Sequence, residues 1–376
     1  MSGRFCVYLF IPIGLLMHIV RLELHNIRSI REASLQPSEG LNFLSGDNGA
    51  GKSSVLEALH VLGFGRSFRG RVRDGLIREN TDALQIFCEW QDSGGRTHKA
   101  GLQHWGGDWQ ARLNGENVAQ LGDLCATFAV SIFEPNSHVL VSGGGEPRRR
   151  FLDWALFHVE HGYLALWRRY VRALKQRNAL LKQRKSGAQL DSWDLELADA
   201  AEPLFWHRRN YLAALLPHLQ SVSEQLMPAF GDISFEFLPG WKHEQMALAD
   251  ALLLNRERDL SLGYTGNGPH RADWKLHFFN KSKTEAYSRG QAKLLALTCL
   301  LAQARHFQQM RGEWPLMLLD DFASELDSKH RARVLDELQS AGAQVFMTGV
   351  ELPAEMQGRA VRMFHVEHGK IGQQNA

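Results

Sequence analysis

The chain is poor in the residues that would cross-link a fold or hold a metal cluster. Its 376 residues include four cysteines, Cys6, Cys88, Cys125 and Cys299, far apart and without a C-x-x-C pair. That spacing argues against both a disulfide framework and a zinc site, and it fits a reducing, cytoplasmic compartment. Charge of one sign is scarce as well. With 43 Lys and Arg against 41 Asp and Glu, the net charge of +2 does not by itself announce a polyanion partner, so the distribution of charge matters more than its sum. No internal repeat and no low-complexity tract is present. Long hydrophobic runs are missing too: the stretch from Cys6 to Leu16 is too short to span a bilayer and is broken by Pro12. No small-residue cleavage site follows it, and Met17-His18-Ile19-Val20-Arg21-Leu22 opens the alternation of a strand. Met17 is therefore expected to be the physiological start, with residues 1–16 a non-native or disordered extension, and no membrane role is expected.

The stretch Gly46-Asp47-Asn48-Gly49-Ala50-Gly51-Lys52-Ser53 is a full match to the phosphate-binding pattern G-x-x-x-x-G-K-[S/T]. Leu41-Asn42-Phe43-Leu44-Ser45 reads as a buried strand before it, and Ser53-Ser54-Val55-Leu56-Glu57-Ala58-Leu59 begins a helical spacing after it. Glycines at 46, 49 and 51 let successive N–H groups point inward at phosphate oxygens, while the following helix aims its positive end at the same place. Lys52 is expected to bridge the β- and γ-phosphates of ATP. Ser53 is expected to offer its hydroxyl to Mg²⁺, together with a carboxylate from elsewhere in the chain.

Basic residues cluster in two places. Gly65-Arg66-Ser67-Phe68-Arg69-Gly70-Arg71-Val72-Arg73 interleaves four arginines with one aromatic, a composition suited to a phosphate backbone or to an ordinary surface loop. Between residues 143 and 185, eleven Arg or Lys face three acids, a local surplus of eight. Much of it rides on a helix whose apolar face is read as Trp167, Tyr170, Val171, Leu174 and Leu181. A second helix after Lys185-Ser186-Gly187-Ala188 would complete a hairpin arm. Arg66, Arg69, Arg71, Arg73, Arg148, Arg149, Arg168 and Arg172 are the candidate DNA contacts, and Arg28 lies near the nucleotide as either a phosphate contact or a solvated loop residue. Residues 83–133 alternate as an antiparallel meander, with turns at Asp92-Ser93-Gly94-Gly95 and Gly106-Gly107-Asp108.

A second set of motifs lies near the C-terminus. Ser288-Arg289-Gly290-Gln291 precedes an apolar helix, where a serine is ordinarily just a cap. The apolar strand Pro315-Leu316-Met317-Leu318-Leu319 ends in Asp320-Asp321, which would set Asp320 on Mg²⁺ opposite Ser53 and Asp321 toward the γ-phosphate as general base or water-positioning group. Ser324-Glu325-Leu326-Asp327 follows, and Val345-Phe346-Met347-Thr348 is a further buried strand.

In this order the motifs resemble the ABC-type ATPase heads: Walker A at 46–53, a signature at 288–291, Walker B at 316–320 and a D-loop at 324–327. The strings Gly65-Arg66-Ser67-Phe68-Arg69, Pro147-Arg148-Arg149-Arg150-Phe151-Leu152-Asp153-Trp154, Gly268-Pro269-His270-Arg271 and Asp320-Asp321-Phe322-Ala323-Ser324-Glu325-Leu326-Asp327 narrow the resemblance to the RecF family of bacterial recombination mediators. Lys52 and Asp320 are 268 residues apart, too few for the long coiled coil of structural-maintenance proteins. The resemblance implies an α/β fold in which the head, with its P-loop core and antiparallel β lobe, occupies 17–146 and 231–376, and an inserted helical arm occupies 147–230.

It further implies that Ser288, Gly290, Gln291 and Asp327 complete the nucleotide site of a second copy, so that ATP joins an ATP-dependent homodimer that grips duplex DNA at junctions of single and double strands. RecR, RecO and RecA are the implied partners, with slow, DNA-stimulated hydrolysis resetting the clamp. Two departures from the wider pattern point to slow turnover. Asp321 replaces a glutamate, and Thr348-Gly349 stand where a switch histidine is expected. No glutamine stands out after Phe133. A transporter-type ATPase subunit and a non-hydrolysing DNA clamp are the competing readings.

Overall fold

The computed structural model describes residues 18–70, 75–92, 94–280 and 287–374. The proposed extension at 1–16 and the candidate contacts Arg71 and Arg73 lie outside the described residues. In chain order the elements are β1 (His18–Ile27), β2 (Ile30–Leu35), β3 (Leu41–Ser45), α1 (Lys52–Phe64), β4 (Leu84–Gln91), β5 (Thr97–His104), β6 (Trp109–Leu113), β7 (Glu116–Asn117), α2 (Leu121–Thr127) and β8 (Val130–Phe133). Next come α3 (Val139–Ser142), α4 (Gly145–Val159), α5 (Tyr163–Lys182), α6 (Ala188–Leu226), β9 (Ile233–Leu238), α7 (Leu248–Leu254), α8 (Arg256–Leu262), β10 (Asp273–Phe278) and α9 (Arg289–Arg311). The chain closes with β11 (Leu316–Leu319), α10 (Phe322–Glu325), α11 (Ser328–Ser340), β12 (Val345–Gly349), β13 (Val361–Glu367) and β14 (Lys370–Gln374).

Two compact units result. Among the described residues, the first comprises those within 18–132, 307–322 and 334–374, and it carries two six-stranded sheets. One runs β2-β1-β4-β5-β6-β7, all antiparallel, as the alternation of 83–133 requires. The other runs β14-β13-β3-β12-β11-β8 and is parallel through its centre. Every residue of β11 and β12 is buried, as expected of parallel strands covered on both faces.

Helix α1 belongs to the core shared by both sheets. Val55, Leu56, Leu59 and Leu62 pack in one cluster with Leu22, Leu24 and Ile86 of the first sheet and Leu318, Phe346 and Phe364 of the second. Eleven of its 13 residues are buried, which explains why its sequence reads apolar almost all round. The phosphate loop is thereby mounted on a helix with little freedom to move.

The second unit comprises 133–306 and 323–333. Helices α5 and α6 pair as the expected hairpin. Residues 133–146 and 231–306 group with this hairpin, where the sequence had suggested the head. The cause is local: among the described residues β9 and β10 pair only with each other, and β10 is tied to α4 by the Arg148–Asp273 ion pair.

The buried face of α5 also differs from the one read in the sequence. It consists of Tyr163, Tyr170, Ala173, Arg177 and Leu181, whereas Val171 is 41% exposed. Arg177 is fully buried because carboxylates meet it there: its Nε donates to Asp194 at 2.6 Å and its Nη1 to Asp259 at 2.7 Å and Thr265 at 2.8 Å. Losing one partner of such a buried set costs about 3–5 kcal/mol.

Candidate functional site: a phosphate loop and its carboxylate

The loop between β3 and α1 is built by glycines in conformations that side chains avoid. Gly46 has φ of 146°, and a Cβ there would lie 2.1 Å from the carbonyl oxygen of Val366. Gly51 has φ of 114°, and a Cβ there would lie 2.7 Å from Ser29 Oγ. Larger residues would push the loop off its strand and helix. Within the loop the Ala50 N–H donates to the Asp47 carbonyl and the Ser54 N–H to the Gly51 carbonyl, both at 3.1 Å. Asp47, Asn48 and Gly49 are exposed at its rim, while Lys52 and Ser54 are buried. Lys52 Nζ donates to the carbonyls of Gly46 at 2.8 Å and Asp47 at 2.9 Å, which holds the ammonium over the cradle where phosphate oxygens would sit.

Asp320, 1% exposed at the end of β11, is the hub of the site. Its Oδ1 accepts from Ser53 Oγ at 2.8 Å and from Thr348 Oγ1 at 2.7 Å. Thr348 Oγ1 in turn accepts the Asp321 N–H at 2.8 Å. The residue that stands where a switch histidine was expected therefore fixes the Walker B carboxylate and the backbone beside it. Asp321 has φ of 51°, an uncommon value for a non-glycine residue and one frequent at functional turns.

Arg69, one of the candidate DNA contacts, reaches in with its Nη2 3.4 Å from Asp320 Oδ2. Arg28 is engaged elsewhere, donating to the buried carboxylate of Glu57 at 2.5 and 2.7 Å. Ser67 Oγ donates to the same carboxylate at 2.5 Å, which ties the basic loop to α1. Nothing in the sequence marked Glu57 beyond an acid on an otherwise apolar helix.

The oxygens of Ser53 and Asp320, already in contact, suit a hard divalent cation that takes its remaining ligands from phosphate and water. Among the described residues no cluster of three His, Cys, Asp or Glu competes for that role. The residues present thus fit Mg²⁺–ATP, with Ser53 and Asp320 toward the metal and Lys52 and the loop N–H groups toward the phosphates.

In the second unit, Ser288 and Gln291 form a reciprocal cap at the start of α9. The Gln291 N–H donates to Ser288 Oγ at 3.2 Å, and the Ser288 N–H to Gln291 Oε1 at 3.0 Å. Ser288 and Gly290 are exposed. Asp327 accepts from the His330 N–H at 2.9 Å and lies 2.6 Å from His330 Nδ1, and these bonds hold its carboxyl below the usual range. Arg331 donates to the carbonyls of Ala323 and Leu326 at 2.8 and 2.7 Å, so the segment carrying Asp327 has a fixed shape.

The arm arginines separate into two kinds. Arg168 and Arg172 are exposed, with Arg172 3.9 Å from Glu196. Arg148 is buried and already bonded. It is 9% exposed, donates to Asp273 at 2.6 and 2.9 Å and to the Gly143 carbonyl at 2.9 Å, and so holds α4 to β10. Arg149 is half-buried and donates to the Ala272 carbonyl at 2.8 Å. No helix of the described residues is long and apolar enough to cross a membrane.

Comparison with known proteins places the chain in a family. The family described as RecF/RecN/SMC N terminal domain matches residues 18–372. The DNA replication and repair protein RecF of Xanthomonas axonopodis pv. citri is 57% identical over 95% of this chain and 99% of its own length. That of Thioalkalivibrio sulfidiphilus is 38% identical over 94% and 99%. A solved structure of the recombination mediator protein RecF-ATP superposes with a TM-score of 0.86 at 24% identity, covering 98% of this chain and all of the other. The Smc head domain from Pyrococcus furiosus superposes with a TM-score of 0.56 at 16% identity, covering 96% and 97%. The two structures share the ABC-type head fold. A P-loop and Walker B carboxylate in one bonded network, together with relatives alike over nearly their whole length, show that the chain belongs to the RecF family of DNA replication and repair proteins.

Proposed function

We propose that the protein is an ATP-driven DNA clamp of recombinational repair, in which Mg²⁺–ATP held at residues 46–54 of one copy is completed by Ser288, Gly290, Gln291 and Asp327 of a second. The observation that carries the nucleotide half of this reading is the Ser53–Asp320–Thr348 network, which holds the metal-facing oxygens in place before any ligand arrives. Bound Mg²⁺ supplies charge neutralisation on the phosphate oxygens.

The chain's own residues do the rest. Lys52 would face the β- and γ-phosphates, Ser53 and Asp320 would hold Mg²⁺, Arg69 would be free to meet phosphate charge instead of Asp320, and Asp321 would orient the attacking water. Its side chain is one methylene shorter than glutamate, so hydrolysis is slow and serves to release the dimer. The exposed Ser288 and Gly290 at the start of α9 support a role toward a second copy, because a donor hydroxyl and a helix N-terminus are available there to an anion.

DNA is held through phosphates by Arg66, Arg69, Arg168 and Arg172, which position without reading sequence. Gapped DNA and junctions of single and double strands are the preferred substrates, and with RecR and RecO the clamp helps load RecA. The test is nucleotide binding by Lys52→Ala. The variant is expected to lose fluorescent ATP binding by at least about a hundredfold, while its fold, read by circular dichroism, is unchanged. Wild-type affinity in the variant would overturn the site.

A further inference from the structure

Away from the phosphate loop, the middle of α6 and the segment after β9 enclose a cleft of about 390 Å³, lined among others by Phe205, Arg209, Phe237, Trp241, Lys242 and His243. All of these belong to the second unit, so the cleft is complete without nucleotide or a second copy. Its wall is aromatic. The Phe205 ring stacks on His243 with centroids 3.6 Å apart, and it stands 5.9 Å from Phe237 and 5.8 Å from Trp241. His243 is fixed from behind by Glu202, with Nε2 and Oε2 3.1 Å apart. Trp241 is 7% exposed, and its indole N–H has no acceptor among the described residues. At the mouth, Arg209 and Lys242 are exposed, and the Arg209 guanidinium lies 5.3 Å over the ring of Trp206.

We propose that this cleft docks an acidic segment of a partner protein, which inserts one bulky apolar side chain against Phe205, Phe237 and Trp241 and sets carboxylates against Arg209 and Lys242. The volume suits a single large side chain with its flanking backbone, and aromatic walls with a cationic mouth are what such an anchor needs. Arg209 and Lys242 outnumber the one acid of the lining, Glu244, so the mouth favours an anion. A backbone carbonyl or carboxylate beside Trp241 would also supply the acceptor its N–H lacks.

Single-stranded nucleic acid fits less well. The faces of Phe205 and His243 cover each other and Arg209 covers one face of Trp206, which leaves no row of open rings for bases to stack on.

The test is fluorescence anisotropy of the full chain with a labelled peptide of three aspartates followed by leucine and phenylalanine. Three probes are run beside it: the same peptide with serine for phenylalanine, a lysine-for-aspartate counterpart, and a labelled thymidine oligonucleotide. The acidic peptide is expected to bind in the micromolar range. Replacing its phenylalanine should weaken it at least about tenfold, as should the paired protein variant Arg209→Glu with Lys242→Glu.

Both substituted side chains are exposed, so the variant folds, and unchanged ATP binding and circular dichroism verify this. Three results would overturn the proposal: no binding at hundreds of micromolar, equal binding of the lysine peptide, or oligonucleotide binding that the paired variant abolishes. None of them touches the nucleotide reading, which the Lys52→Ala experiment tests separately.

Discussion

At the scale of single residues, Thr348 is the position where a small change has the most to reveal. Its hydroxyl donates to Asp320 and accepts from the Asp321 N–H, so Thr348→Val frees the Walker B carboxylate and strands a backbone donor while keeping the side chain's volume. ATP binding should stay within about threefold of wild type while turnover falls at least about tenfold, and stability should drop by about 1–3 kcal/mol in urea melts. Thr348→Ser should restore most of both, and wild-type turnover in the valine variant would contradict the role given to this hydroxyl.

Arg148 and Arg168 make a second contrast. Arg148→Ala should cost about 3 kcal/mol of stability, because it leaves Asp273 with an unpaired, partly buried charge. Burial pushes the Asp273 carboxyl up, and the Arg148 guanidinium outweighs it, so the group sits below its usual range. Arg168→Glu should leave stability unchanged within about half a kcal/mol and weaken DNA binding in gel shifts. The sequence could not separate these two arginines. Charge is legible in a string of letters, but burial of a guanidinium depends on a carboxylate 125 residues away that the sequence gives no reason to pair with it.

At the scale of elements, α1 and the basic loop behind it are coupled through His60. The ring stacks on Phe64 with centroids 4.1 Å apart, and its Nδ1 lies 2.7 Å from the Arg66 carbonyl. Burial pulls its pKa down to about 4. The unfolded chain takes up a proton near pH 6.5 while the folded protein does not until near 4, so stability is full above about 6.5 and is lost as pH falls toward 4. Between pH 7 and 5 this group should cost up to about 2 kcal/mol, at 1.36 kcal/mol per pH unit below 6.5. A His60→Gln variant should lose that part of the pH dependence in thermal melts, and an identical pH profile in both proteins would contradict the assignment.

The element itself was the most legible part of the chain. Glycines, strand and helix occur in an order that only a phosphate loop uses, and β11 ends in its acids where an apolar run must stop. The hairpin arm was legible as two helices. Its buried face was not, because the hydrophobic period assigns Val171 to the core and Arg177 to solvent, while Asp194 and Asp259 draw Arg177 inside and Val171 is exposed. Burying an arginine is favourable only when carboxylates converge on it, and that convergence is a tertiary fact.

At the scale of the whole molecule, the division into two compact units follows contacts that sequence order hides. Residues 231–306 read as a return to the head, and the β9–β10 pair with its ion pair to α4 groups the described ones with the hairpin. Relatives at 57% and 38% identity over nearly their full length make the family plain, and the proposed meeting of two copies over one nucleotide is left to experiment. Ser288→Arg adds a long cation at the exposed start of α9 and should leave ATP binding within about threefold while abolishing association.

The central claim is tested most directly by multi-angle light scattering of the wild-type protein with a saturating non-hydrolysable ATP analogue and Mg²⁺, followed by gel shifts on gapped DNA. The account predicts a rise from the monomer mass of 42.5 kDa to twice that value, and DNA affinity that increases with the analogue and falls steeply with salt. A monomer at saturation, with DNA binding indifferent to the nucleotide, would contradict it.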